Sequence, residues 1–195
     1  MTTAHERELG SLGVDTKKLG MWTFLGSEVM LFTGLIATYL VFRGKSLAGP
    51  TPQEMFADVT IVAFNTLVLL CSSLTMVLAH EGVEQNDRKR FFLFILATAA
   101  LGALFLSVQV FEYSKLIGEG MNLGVNLFGA SFFTLTGFHG AHVTGGVVFI
   151  AICLYRSLRG QFTANRHLAV EAASIYWHFV DVVWIGLFTT IYIIG

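Results

Sequence analysis

The chain has 195 residues, of which 54% are hydrophobic and 13% are charged, and its formal net charge is −1. An ordinary soluble domain carries about 25% charged residues. The composition therefore excludes an ordinary soluble domain. The net charge by itself says nothing about nucleic acid, and we expect no nucleic-acid partner.

Five apolar runs in the sequence are long enough to cross a bilayer, since a spanning helix needs roughly 20 apolar residues. They cover about residues 19–42, 59–79, 91–113, 127–154 and 172–194. The sequence predicts an all-α integral membrane bundle of five transmembrane helices, forming one membrane domain over residues 1–195 with a polar tail at 1–18. Barrel strands would instead give alternating segments of about ten residues.

The connections between these runs predict the orientation of the bundle. Nine of the twelve lysines and arginines fall on the side of the N-terminal tail, and three fall on the other side. Because basic connections stay in the cytoplasm, we expect a cytoplasmic N-terminus and a C-terminus on the opposite side. The sequence has no internal repeat, which argues against an inverted-repeat transporter.

Glu28 is the acidic residue of the first predicted helix, and it lies about 14 Å from the start of that helix by the helical rise. A lone carboxylate at this depth usually takes up a proton, and it then needs a hydrogen-bond partner on a neighbouring helix. Two interpretations stay open. Glu28 is either a protonated acid bonded between helices, or a residue that exchanges protons or contacts lipid.

Polar side chains also mark the second and third predicted helices. Asn65, Ser72, Ser73 and Thr75 give the second helix hydrogen-bonding capacity. Gln109 and Glu112 share a face near the end of the third helix, with Tyr113 beside them. Tyrosine is typical of the membrane interface, so we expect Glu112 to reach head groups or water.

His139 and His142 stand three residues apart on the fourth predicted helix and therefore share a face. Gly146 falls between them on the helical wheel, which opens room for a neighbouring helix or a ligand. An H-x-x-H pair alone is a weak metal signal, because a metal site needs ligands from other helices. Hydrogen bonding between helices or contact with head groups is the favoured interpretation.

The fifth predicted helix carries a mixed polar and aromatic face within YWHFVDVVW. His178 and Asp181 stand three residues apart, and Trp177 and Trp184 lie on the same broad face. Asp181 needs a hydrogen-bond donor, which histidine or an indole N–H can supply. The pattern favours a polar cluster that fixes helix packing. A membrane metalloenzyme built on His139, His142 and His178 is the remote alternative.

Four stretches together resemble subunit III of the haem–copper terminal oxidases, in its short five-helix bacterial form. They are GMWTFLGSEVMLFTGL, FLSVQVFEY, FFTLTGFHGAHVTGG and YWHFVDVVWIGLF. They occur in the family order, one on each of four helices, and the resemblance covers nearly the whole chain.

The resemblance implies a non-redox subunit of a proton-pumping cytochrome c oxidase in aerobic respiration, placed in the bacterial cell membrane. It implies no catalytic residue, haem, copper or other metal in this chain. Haem and copper would lie in partner subunits, namely the catalytic subunit I and the copper-bearing subunit II. The wider assembly could include a small subunit IV and a larger respiratory supercomplex.

The resemblance also supplies candidate site residues. The family's buried glutamate and its histidine and tryptophan motifs are associated with bound phospholipid and with steady proton uptake by the catalytic subunit. The residues carried over as candidates for lipid-binding or inter-helix polar contacts are Glu28, Trp22, Gln109, Glu112, His139, His142, Trp177, His178 and Asp181.

Two questions stay open at this point. A quinol oxidase subunit and a nitric-oxide-reductase accessory protein are the related alternatives, and a glutamate rather than an aspartate at position 28 favours the cytochrome c form. Longer family members have two more helices at the N-terminus, which enclose a lipid-filled cleft. Either another chain supplies that wall here, or the cleft is open.

Overall fold

The computed structural model describes residues 16–43, 59–121, 123–124, 126–164 and 166–194. The helices are α1 (Thr16–Phe42), α2 (Thr60–Glu84), α3 (Arg88–Gly118), α4 (Leu127–Leu158) and α5 (Leu168–Phe188), and a π-helical turn (Thr189–Ile193) follows α5 directly. All five helices are long and apolar enough to cross a membrane, and the described ranges contain no β-strand. The predicted all-α membrane bundle is confirmed, and the chain is a multi-pass membrane protein.

Several helices are longer than the apolar runs predicted. α2, α3 and α4 continue four or five residues beyond the predicted ends at 79, 113 and 154, and α3 and α5 begin before 91 and 172. The hydrogen bonds of a helix do not stop where the hydrocarbon stops, so polar residues extend each helix into the aqueous phase. α1 likewise begins inside the predicted polar tail, of which residues 1–15 lie outside the described part of the chain.

The predicted second connection shrinks to a three-residue turn, residues 85–87, between α2 and α3. Asn86 has a φ of 56°, a left-handed conformation that asparagine tolerates better than most residues. The Asp87 carboxylate accepts hydrogen bonds from the backbone N–H groups of Lys89 and Arg90, at 3.1 and 3.0 Å, and so caps α3. This tight hairpin makes α2 and α3 the most extensively packed pair of helices.

α5 completes the core, because its two tryptophans reach across the bundle. Trp177 is 1% exposed and lies between a glycine of α3 and a glycine of α4. A Cβ on Gly102 would lie 2.6 Å from the indole Cη2, and a Cβ on Gly146 would lie 2.8 Å from the same ring. The room predicted beside Gly146 is therefore filled by a side chain of a neighbouring helix.

α1 is the peripheral helix of the bundle and packs against α4 and α5. Its buried side chains are Leu25, Phe32 and Tyr39, which recur every seven residues and form a narrow seam. Such spacing is typical of two helices packed at a small angle. Most other residues of α1 are exposed, so this helix offers a wide surface to lipid or to another protein.

Candidate functional site

Glu28 of α1 contacts His142 of α4 inside the bundle. The Glu28 Oε2 atom lies 3.0 Å from His142 Nε2, and the two side chains are only 15% and 16% exposed. The hydrogen-bond partner that the sequence required for Glu28 is therefore a histidine on a neighbouring helix. His142, predicted as an inter-helix or head-group contact, makes the inter-helix contact.

The other nitrogen of His142 limits how this pair can be hydrogen-bonded. His142 Nδ1 is 2.7 Å from the carbonyl oxygen of Phe138, and a carbonyl only accepts, so Nδ1–H is the donor. His142 Nε2 then either accepts from a protonated Glu28 or, as imidazolium, donates to the Glu28 carboxylate. In either arrangement one hydrogen bond joins Glu28 to His142.

Two aromatic residues of other helices hold His142 in place, and nothing in the sequence pattern distinguished them. The Phe32 ring of α1 meets the imidazole edge-on, with 5.0 Å between ring centroids. The Tyr176 hydroxyl of α5 donates to the backbone oxygen of His142 at 3.0 Å. Phe32 is one of eighteen phenylalanines, so composition offered no signal for it.

His139 lies apart from this pair although it is only one turn away. It is completely buried, and neither ring nitrogen has a hydrogen-bond partner among the described residues. Its ring instead stacks on Trp184, with 4.8 Å between centroids. Residues three apart on a helix differ by about 60° in direction, which separates His139 in the core from His142 at the α1–α4 contact.

The seam between α2 and α5 is held by hydroxyl groups of α2. The indole N–H of Trp177 donates to Ser72 Oγ, and that of Trp184 donates to Thr66 Oγ1, both at 3.0 Å. The predicted hydrogen-bonding capacity of α2 is thus used, and both indoles bond to α2 rather than to Asp181.

His178 and Asp181 are brought together at the same seam by Ser73. The Ser73 hydroxyl lies 2.6 Å from His178 Nδ1, and it also interacts with Asp181. Asp181 is 5% exposed, and its Oδ1 has no partner among the described residues. The structure does not bring His139, His142 and His178 together as a ligand cluster in the described ranges, which counts against a metalloenzyme built on them.

Gln109 and Glu112 of α3 have different surroundings. Gln109 is 7% exposed, and its amide donates to the backbone oxygen of Thr136 on α4 at 3.1 Å. Glu112 is half-buried. Tyr113, which we expect at the membrane interface, also joins α3 to α4. Its hydroxyl lies 2.6 Å from the hydroxyl of Thr136.

An apolar groove of about 540 Å³ runs between α1 and α5. Its lining residues are Trp22, Leu25, Gly26, Val29, Ile175, His178, Phe179 and Val182. Trp22 is 60% exposed and has its large ring at this groove, as a lipid-contact residue would. The groove therefore contains two of the candidates proposed from the sequence, Trp22 and His178.

A second cavity, of about 410 Å³, lies at the end of the bundle where α1 begins and shares Ile175 with the apolar groove. It is lined by Lys18, Arg156 and Arg166 together with apolar side chains such as Phe162. Glu171 forms an ion pair with Lys18 at 2.7 Å, whereas neither arginine pairs with a carboxylate in the described part of the chain. We call the two cavities together the α1/α5 groove; it has a basic mouth and an apolar wall.

Comparison with known proteins gives a consistent result. A family model described as cytochrome c oxidase subunit III matches residues 11–195. The cytochrome c oxidase subunit 3 of Thermostichus vulcanus is 40% identical over 92% of this chain and 88% of its own length. That of Bacillus sp. strain PS3 is 38% identical over 92% and 86%. The quinol oxidase subunit 3 of Bacillus spizizenii is 36% identical over 98% and 91%.

Proposed function

Because the chain belongs to the cytochrome c oxidase subunit III family, we propose that it supports a haem–copper oxidase by binding phospholipid and by assisting proton uptake. It is a non-catalytic subunit of that complex. Its partners by this proposal are the catalytic subunit I and the copper-bearing subunit II, which hold the haem and copper. A small subunit IV and a larger supercomplex are further candidate partners.

We favour cytochrome c over quinol as the electron donor of the complex. The relatives carry both names at similar identity, and a glutamate rather than an aspartate at position 28 favours the cytochrome c form. Purification of the complex through this chain, a haem spectrum and assays with reduced cytochrome c and with quinol would test it. Turnover with quinol alone would overturn the preference.

The observation that carries the lipid proposal is the α1/α5 groove. Its basic mouth contains three cations and one carboxylate, which attracts an anionic head group. Its apolar wall extends along α1 and α5 past Ile175 to Val182, which suits an acyl chain. By the predicted orientation this mouth faces the cytoplasm. An anionic phospholipid meets both requirements.

We expect Arg156→Gln with Arg166→Gln to weaken binding of anionic phospholipid roughly 25-fold, because each basic residue near a membrane surface contributes about 1 kcal/mol. Phospholipid retained by the purified complex, counted by native mass spectrometry, measures the loss. Arg159→Gln is the matched control, because Arg159 lies over the Tyr155 ring and does not line the groove. Equal lipid retention in both variants would contradict the proposal.

The proposal for proton uptake rests on the Glu28–His142 pair. It lies within the membrane span, hydrogen-bonds a carboxyl group to an imidazole and is partly accessible, which is an arrangement that can exchange a proton with a neighbouring group. The other side chains around it, Phe32 and Tyr176, hold its geometry.

We expect Glu28→Gln to leave the initial rate of oxygen consumption near that of the unaltered complex but to shorten the active lifetime during turnover. The glutamine amide can still donate to His142 Nε2, so the contact between the helices is retained while the exchangeable carboxyl proton is lost. Oxygen uptake followed to complete inactivation measures both quantities. A large immediate loss of rate in a fully assembled complex would argue against this role.

A further inference from the structure

Two histidines and a glutamate that the sequence patterns did not single out meet where α2 ends and α5 begins. They are His80 and Glu84 of α2 and His167, the residue that precedes α5. Each offers one ligand atom, and the three atoms lie within 4.8 Å of one another. The two imidazole rings meet edge to face, with 5.7 Å between centroids. None of the three residues belongs to the Glu28–His142 pair or lines the α1/α5 groove, although Arg166 and Leu168, on either side of His167, lie at the mouth of that groove.

The hydrogen bonds around the cluster leave imidazole nitrogens unused. His80 Nε2 and His167 Nδ1 are buried and have no hydrogen-bond partner among the described residues. A buried polar atom without a partner destabilises the fold by about 1–3 kcal/mol. Both unpartnered nitrogens belong to residues of this cluster, and His80 also has its second nitrogen, Nδ1, 3.9 Å from Glu84 Oε1.

The carboxylate of the cluster is free to take part. Glu81, the other acidic residue in the last turn of α2, is held by Arg90 at 2.6 Å and by Gln85 at 2.9 Å. Glu84 is 53% exposed, and its Oε1 atom lies 3.9 Å from His80 Nδ1. Its side chain can therefore rotate toward the two imidazoles without breaking another ion pair in the described part of the chain.

We propose that His80, Glu84 and His167 bind a divalent transition-metal cation of the zinc class. Two imidazoles and one carboxylate are a ligand set that Zn²⁺ accepts, and water would complete a tetrahedron on the exposed side of Glu84. Tetrahedral bonds of about 2.0–2.2 Å place ligand atoms roughly 3.3–3.5 Å apart, so binding draws the three side chains closer together.

The backbone already brings the two halves of the site together. His80 and Glu84 are one turn apart on α2, so they project from one face of that helix. The backbone oxygen of His167 accepts from the N–H groups of Val170 and Glu171, which fixes it at the start of α5. A bound cation would thus link the end of α2 to the start of α5 and stabilise the bundle by mass action.

The first experiment uses the unaltered oxidase complex and Zn²⁺ alone. Chelator-washed complex is treated with diethyl pyrocarbonate, with and without micromolar Zn²⁺, and modified histidines are located by mass spectrometry. We expect Zn²⁺ to protect His80 and His167 from modification. Mg²⁺, which prefers oxygen ligands, should give no protection. Equal modification with and without Zn²⁺ would overturn the proposal.

The second experiment counts metal ions in variants. After equilibrium dialysis against Zn²⁺, we expect His80→Asn and His167→Asn each to lose one zinc per complex, whereas Glu81→Gln keeps it, because Glu81 is bonded to Arg90 and Gln85 and is not part of the cluster. Glu84→Gln should weaken binding at least roughly tenfold, since even a residue beyond the ligands contributes 10–100-fold. A variant with cysteine in place of both His80 and His167 should bind the zinc that the asparagine variants lose, because thiolates are also zinc ligands. Equal zinc content in all variants, or binding only at millimolar zinc, would overturn the proposal.

Discussion

Gly102→Ala should lower the free energy of unfolding by about 1–3 kcal/mol, as overpacking of a close-packed core does. The added Cβ would lie 2.6 Å from Trp177 Cη2 and 2.9 Å from Val147 Cγ2, so neither neighbour can stay where it is. The indole cannot move away easily, because its N–H is bonded to Ser72 and Gly146 lies on its other side. Equilibrium unfolding of the chain in mixed detergent measures the change.

Two further variants separate this steric effect from a general effect of alanine. Gly34→Ala is the matched control on α1, since a Cβ there meets nothing within 4 Å; we expect its stability to be unchanged or slightly higher. Trp177→Phe removes the ring atoms that clash, so the double variant should be more stable than the sum of the two single effects, by about 0.5–3 kcal/mol. Strict additivity would show that the clash is relieved elsewhere.

His142→Leu should be the most damaging change at the Glu28 site and should cost about 1–3 kcal/mol, because it leaves the Glu28 carboxyl without its partner at 15% exposure. The same unfolding measurement applies. Removing both groups, as Glu28→Leu with His142→Leu, should restore part of the loss, because no polar atom is then left alone in hydrocarbon. An equal loss in the single and the double variant would show that the pair contributes no coupling energy.

The five membrane-spanning helices could be predicted from the sequence, but which helices pack against one another could not. Long apolar runs determine which segments cross the membrane, so the five crossings followed from composition. The ends of the helices could not be predicted from composition. Hydropathy changes at the membrane surface, whereas the helical hydrogen bonds of α2, α3 and α4 continue to Glu84, Gly118 and Leu158.

Helical periodicity predicted which candidate site residues share a face of a helix, but it did not predict their partners on other helices. Periodicity placed His139 and His142 on one face, but a separation of about 60° was enough to send one to Trp184 and the other to Glu28. The need of Glu28 for a partner could be derived from burial alone. The identity of that partner depended on which helix lies beside α1.

Sequence periodicity alone could not have predicted the cluster of His80, Glu84 and His167. The spacing of His80 and Glu84 on one helix is visible in the sequence, but His167 is 87 positions further along the chain than His80. Only the packing of α2 against α5 makes the two histidines neighbours. Contacts of this range are set by tertiary packing, which local patterns do not encode.

The position of α5 has a consequence for biosynthesis. α5 follows the other four helices in the chain and is therefore made after them, yet it contacts all four, and its tryptophans fill the space beside Gly102 and Gly146. Until it is inserted, the hydroxyls of Ser72 and Thr66 lack their indole donors, and α1 lacks one of the two helices against which it packs most. The four earlier helices can each enter the membrane as they leave the ribosome, but the core that they share with α5 can close only after α5 has entered.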